Sequence, residues 1–189
     1  MAIIGLSNLH YAIMTTEDTA TTAPVYGTPK RMVGVNSVSD SPQNDTATLY
    51  GDNQALDSKT STKEHTITLE VAKFPLEDKA ALLGYSYDSG TKTLGADVDA
   101  TAPNVAIMYE LDTDENKKWY VVFFKGKFAP SNEDANTRGS SLEYGLHRIE
   151  GTFVSRIDAA NKRVYLEKEV DATDTTTITT WFTSVTSAV

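Results

Sequence analysis

KKWYVVFFKGKFAPSNEDANTRGSSLEYGLHRIEGTFVSR, residues 117–156, is the stretch from which the fold can be read. Trp119 to Phe124 is made almost wholly of aromatic and β-branched residues, the types that fit a pleated, packed surface. An unbroken apolar run of this kind suits a strand covered on both faces. After it the pattern becomes half-polar, with Lys125 and Lys127 alternating with Gly126 and Phe128. A polar segment, 130–141, follows, and the chain returns through Leu142, Tyr144, Leu146, Ile149 and Phe153. The stretch therefore predicts two long strands forming the wall of a β-structure, with hydrophobic length enough to suggest assembly beyond one subunit.

Working outward, further strands are expected at 6–14, where Leu9, Tyr11 and Ile13 alternate with Asn8, His10 and Ala12, and at 31–39 through Met32, Val33, Val35 and Val38. Residues 64–71 alternate most cleanly, with Ile67, Leu69 and Val71 against Glu64, Thr66, Thr68 and Glu70. Strands are also expected at 105–112 and 163–168, and a hairpin or loop at 85–103 turning at Asp88-Ser-Gly90. Residues 15–28 read as a loop or extended arm. Residues 40–63 are polar and acidic apart from Leu49-Tyr50. A structureless loop of that length is uncommon in a compact domain, so a protruding loop or hairpin is expected. One helix is marked by Pro75 at its first position, acids in its first turn and Gly84 at its end, with Leu76, Ala80 and Leu83 on one face, broadened by Leu82. The tail, 169–189, reads either as a short helix capped by Asp174, with Ile178, Trp181 and Val185 on one side, or as a strand. The expected fold is a mainly β single domain over 1–189, a β-sandwich or partly closed barrel flanked by one α-helix.

A chain of 189 residues buries roughly 70% of its unfolded surface and needs no staple. With no Cys, disulfide frameworks, thiol catalysis and Cys-based zinc sites are excluded. The opening MAIIGLSNLHYAIM lacks a basic region and a long apolar core, so it does not read as a signal peptide. There is no run of about 18 apolar residues that would span a membrane. The net charge is −9, but residues 1–116 carry 7 basic and 17 acidic groups, a net of −10, whereas 117–168 carry 10 and 6, a net of +4. The lack of a basic stripe in so acidic a chain disfavours sequence-specific DNA binding.

No catalytic signature emerges. Asp112-Thr-Asp-Glu-Asn116 starts like a calcium loop, but Lys117 stands where glycine is required and Phe123 where a bidentate glutamate is required. His10, His65 and His147 are scattered, and no metalloprotease, nucleophile-elbow, phosphate-loop or dinucleotide motif occurs. Glu143 and Glu150 fall in opposite phases of one strand, so they are not a hydrolytic pair. Lys125, Lys127, Arg148 and Arg156 could contact phosphates. Paired across strands with Glu143 or Glu150, these four are read more simply as salt bridges between strands or subunits. No cofactor, metal or catalytic residue is expected.

The order and spacing of IGLSNLHYAIM, VYGTP, MVGVNSVS running into LYGDNQ, VAKFPLEDKAALLGY, APNVAIMYEL and WYVVFFKGKF, spanning most of 3–153, resembles the major tail (tail-tube) proteins of bacteriophages with long non-contractile tails, of the kind found in phages of Gram-positive hosts. The resemblance implies a self-assembling structural virion protein, made in the host cytoplasm. Six copies would form a ring, and rings would stack into a hollow tube. The tube would enclose a tape-measure protein, be closed by a tail terminator and let DNA pass without specific binding. Leu49, Tyr50, Asp52 and Asn53 are the candidates for contact between rings. The competing expectation is a monomeric β-sandwich binding module on a virion or cell surface, with Trp119 and Trp181 lining an aromatic groove.

Overall fold

The computed structural model describes residues 2–115, 117–130, 145–157, 162–171 and 173–185. In chain order the elements are β1 (Ile3–Thr16), β2 (Val25–Tyr26), β3 (Lys30–Arg31), β4 (Val35–Gly51), β5 (Gln54–Val71), α1 (Leu76–Leu83), β6 (Ser86–Asp88), β7 (Thr93–Gly95), β8 (Val105–Thr113), β9 (Lys118–Ala129), β10 (His147–Val154), β11 (Tyr165–Val170) and α2 (Thr175–Thr180). One antiparallel sheet runs β2-β1-β8-β9-β10-β5-β4, with β3 attached to β1 and β11 to β9; β6 and β7 form a separate hairpin. The sheet curls until β4 approaches β1, although among the described residues no ladder joins the two and no barrel closes. The chain bridges that gap where the Met32 amide donates to the Leu9 carbonyl at 2.8 Å.

β9 is buried on both faces, as its composition requires. Val121, Phe123 and Phe128 enter the core inside the curl, with Leu9, Tyr11, Ile67, Leu69, Ile107, Ile149 and Phe153. Tyr120, Val122 and Phe124 enter a second core on the opposite face, with Met108, Val170 and Trp181. Ile178, Phe182 and Val185 pack on that second core, so α2 and the residues after it cover it. The tail is thus a second helix beside the one expected. Asp174 caps it, accepting the Thr177 amide at 3.0 Å and the Thr177 hydroxyl at 2.6 Å.

Strict alternation is broken by bulges, and those in β1, β9 and the start of β4 explain which residues reach the inner core. Between Ser7 and His10, β1 gains one residue against β8, at Asn8 (φ 54°). This brings both Leu6 and Leu9 to the inner side. The buried Glu110 holds the bulge, accepting from the Ser7 hydroxyl (2.8 Å) and the Asn8 side-chain amide (2.7 Å). In β9 an extra residue falls between Phe123 and Gly126, after which Phe128 takes the inner phase and Lys127 points out. In β4 a slip between Val35 and Ser37 allows both Val35 and Val38 to pack inward. A bulge adds one unpaired residue and so reverses the side-chain phase beyond it.

α1 begins one residue later than its sequence suggests, with Pro75 as N-cap and Gly84 (φ 70°) as C-cap. Its buried side is Ala80, Leu82 and Leu83, whereas Leu76, expected on the apolar face, is exposed. Asp78 is buried in its place, accepting the Tyr11 phenol at 2.8 Å and pairing with Lys30 at 2.8 Å. A buried carboxylate is tolerated when it is bonded and paired in this way.

Candidate assembly surfaces

Beyond the curled body, β4 and β5 continue alone. β10 accompanies β5 only as far as the Val154–Glu64 pair, whereas β4 stays paired with β5 out to Gly51 and Gln54. Every residue from 39 to 63 except Gly51 is exposed. At about 3.3 Å per residue, the eight residues from 44 to 51 carry the ribbon roughly 25 Å past the last three-stranded level. Asp52 (φ 48°) and Asn53 (φ 59°) are the two central residues of its turn. Positive φ at both central positions is the backbone that a tight two-residue hairpin demands, and Asp and Asn tolerate it. Thr46 and Thr60 bond at 3.1 Å, Thr62 donates to Asn44 at 2.6 Å, and Lys63 pairs with Asp45 at 2.7 Å, all in solvent.

The tip carries an exposed apolar group. Leu49, Tyr50 and Leu56 are 63%, 70% and 66% exposed. Leu49, Tyr50, Asp52 and Asn53 were singled out by the sequence, and Leu56 was not. It is the extra residue of a slip between the Leu49–Asp57 and Tyr50–Ala55 pairs, and its side chain lies over Gly51. Three large apolar side chains on a mostly polar ribbon thus lie about two-thirds open to solvent. β4 also ends the ladder among the described residues, which leaves its outer backbone edge open for pairing there.

The charged candidates divide. Lys127, Arg148 and Glu150 lie exposed on one outward face of β9 and β10. Glu150 stands opposite Ala129, Lys127 opposite Thr152 and Arg148 opposite Glu70, which makes Lys127 and Glu150 diagonal neighbours. Glu143 lies outside the described residues. Lys125 faces elsewhere: it sits in the β9 bulge and pairs at 2.5 Å with Asp18, which also accepts the Ile157 amide at 2.6 Å. Both partners are largely buried, so Lys125 is engaged inside its own chain. Sequence alone could not find this pair, because the two residues are 107 positions apart and meet only through the bulge. Arg156 is also internal, with its guanidinium 4.5 Å from the Phe124 ring centre.

Burial alone would raise the Asp18 carboxyl, but the Lys125 ammonium and the Ile157 amide outweigh it and hold it below its ordinary range. A carboxyl depressed in the folded state contributes stability above its unfolded pKa and loses it as the pH falls through the folded value. Thermal melts of the wild type should therefore drop more steeply between about pH 5 and pH 3 than those of Asp18→Asn. At neutral pH the variant should be less stable by about 3 kcal/mol, the cost of leaving a buried charge unpaired. Parallel curves would show that the pair contributes nothing.

Among the described residues, the other candidates are not brought together into a chemical site. His10 bonds its own turn at the Asn8 carbonyl (2.8 Å), His65 bonds Asp40, and His147 leans on Phe74. In the turn after β8, Asp114 exchanges hydrogen bonds with Ala2 at 2.8 and 3.0 Å. Trp181, expected in an aromatic groove, is 4% exposed and belongs to the second core, and Trp119 is half-buried on β9. No helix among the described residues is long and apolar enough to cross a membrane. The model of a family described as phage tail tube protein matches residues 1–143. No curated protein matches the chain.

Proposed function

Because the chain belongs to the phage tail tube protein family, a structural family of the virion tail that assembles into a tube, we propose that it forms hexameric rings which stack into a conduit for DNA. The observation that carries this reading is the β4–β5 ribbon with Leu49, Tyr50 and Leu56 exposed at its tip. An apolar tip on a solvated ribbon gains free energy when a second copy covers it, at about 25 cal/mol per Å² of apolar surface buried. A heterologous contact of this kind repeats from copy to copy until it closes a ring or extends a tube. Asp52 and Asn53 would present the tip, and the exposed Lys127, Arg148 and Glu150 face would meet a neighbour within the ring. Inside the tube the subunits would surround a tape-measure protein, and a terminator would cap the last ring. DNA would pass without base-specific contact.

Concentrated purified protein viewed by negative-stain microscopy tests this. Rings with six-fold averages, or tubes, are expected. A strictly monomeric species at high concentration would instead favour a binding module, and rings of another order would overturn the hexamer.

A further inference from the structure

The ribbon leaves the body at one definable level. Inward of Glu64, β5 has β10 on one side and β4 on the other; outward, among the described residues, it has β4 alone. At the same level β4 carries Pro42, opposite His65, and the ladder slips between Gln43 and Asn44 with Lys63 as the extra residue. Proline lacks an N–H for the ladder, and a bulge bends the strand that carries it. A two-stranded ribbon with no buried face is only marginally stable by itself. Backbone pairing alone therefore leaves this root a hinge.

A side-chain contact sits just inside it. His65 Nδ1 lies 2.9 and 3.0 Å from the two Asp40 carboxylate oxygens. The imidazole is only 6% exposed and is walled by Phe123 and Tyr165, whose ring centres lie edge-on to it at 5.7 and 5.2 Å, so it has little room to turn away. Asp40 stands on β4 two residues before Pro42, and His65 stands on β5 opposite Pro42. The pair thus ties the two strands together on one face immediately before the slip. We propose, on the reading that the ribbon contacts a neighbouring copy, that Asp40 and His65 are positioning residues. Their contact fixes the direction in which the ribbon leaves the body, and so the fraction of subunits ready to assemble.

The absence of cysteine allows direct tests. Spin labels at Thr48→Cys on the ribbon and Thr152→Cys on the body should give one narrow distance distribution. Asp40→Ala should broaden it, and Asp40→Asn, which keeps an acceptor, should not. If the freed ribbon points the competent way about a tenth of the time, the apparent affinity for assembly falls about tenfold. A disulfide between Ser41→Cys and Thr66→Cys should restore assembly to unlabelled Asp40→Ala. These residues are directly opposed, and such pairs have Cα separations of about 4.5–5.5 Å, within reach of a disulfide. An unchanged distribution in Asp40→Ala overturns the latch whether or not tubes form. Broadening with wild-type assembly, or lost assembly that the disulfide does not restore, overturns its role in positioning. If the wild type itself makes no tubes, the tube reading fails, while the distance measurement still decides the latch.

Discussion

A subunit whose ribbon has been replaced by a two-residue turn will fold and will not polymerise. The ladder shows where to cut. Gln43 pairs with Glu64, and everything beyond that pair is solvated on both faces. Replacing residues 44–63 by Asn-Gly, the sequence best suited to a tight hairpin turn, keeps the Asp40–His65 contact and every strand that touches either core. Few buried contacts are lost, so the melting temperature should shift by less than about 4 °C, the effect of about 1 kcal/mol in a protein of this size. Polymerisation should fall below detection. A milder variant, Leu49→Ser with Tyr50→Ser and Leu56→Ser, separates the tip from the backbone edge. Each side chain contributes about 1.5 kcal/mol or more if fully buried by a neighbour. The triple variant should therefore need on the order of a thousandfold higher concentration to assemble. Normal tubes from the shortened subunit would remove the ribbon from the assembly mechanism. Normal tubes from the triple variant alone would leave backbone pairing as the contact.

How much of this is legible in the sequence depends on whether a residue has a buried face to report. β9 was readable as doubly covered because both of its phases are apolar, and the structure supplies a core on each side. What covers the outer side was less legible. α2 has the sequence TTTITT, with weak helix formers throughout, and only Asp174 and the spacing of Ile178 and Trp181 betray it. The ribbon gave no periodic signal, since a strand exposed on both faces needs no alternation, and Thr46, Thr48, Thr60 and Thr62 look the same in a loop. Leu56 is hidden in the sequence for the same reason. The bulges at Asn8 and Lys125 are equally silent, because a phase change has no fixed residue signature; Asn8 is the sole hint, as a residue type that tolerates positive φ. Unbroken alternation would put Lys125 and Lys127 on one face, and the bulge between Phe123 and Gly126 separates them. The family match stops at residue 143, ahead of β10, β11 and α2, which complete both cores.

Truncating Phe153 will cost the subunit about 3–5 kcal/mol, the usual range for a fully buried phenylalanine. The reason is a reciprocal arrangement at the crossing of β9 and β10. Gly126 is paired with Phe153 and Phe128 with Gly151. The Phe153 ring lies where a Cβ on Gly126 would be, 2.4 Å from its nearest atom, and the Phe128 ring lies 2.7 Å from a Cβ on Gly151. Each ring fills the space its partner glycine leaves empty. Phe153 also stands edge-on to Phe123 at 5.6 Å and to Phe128 at 5.8 Å, contacts worth about 0.5–1.5 kcal/mol beyond the area buried. It is 0% exposed, so the cavity left by alanine cannot open to water without moving a strand. Urea or thermal unfolding of the ribbon-shortened subunit, where assembly does not interfere, should show Phe153→Ala melting roughly 10 °C or more below its parent. Gly126→Ala should also destabilise, by about 1–3 kcal/mol, because the ring is held by two other aromatics and cannot step aside. If ring and glycine occupy one space, the two substitutions must couple. Adding Gly126→Ala to Phe153→Ala should then cost less than adding it to the parent, since the new methyl enters the vacated volume. Strict additivity would mean that the strands already shift to admit the methyl, and that this crossing does not fix the curl of the sheet.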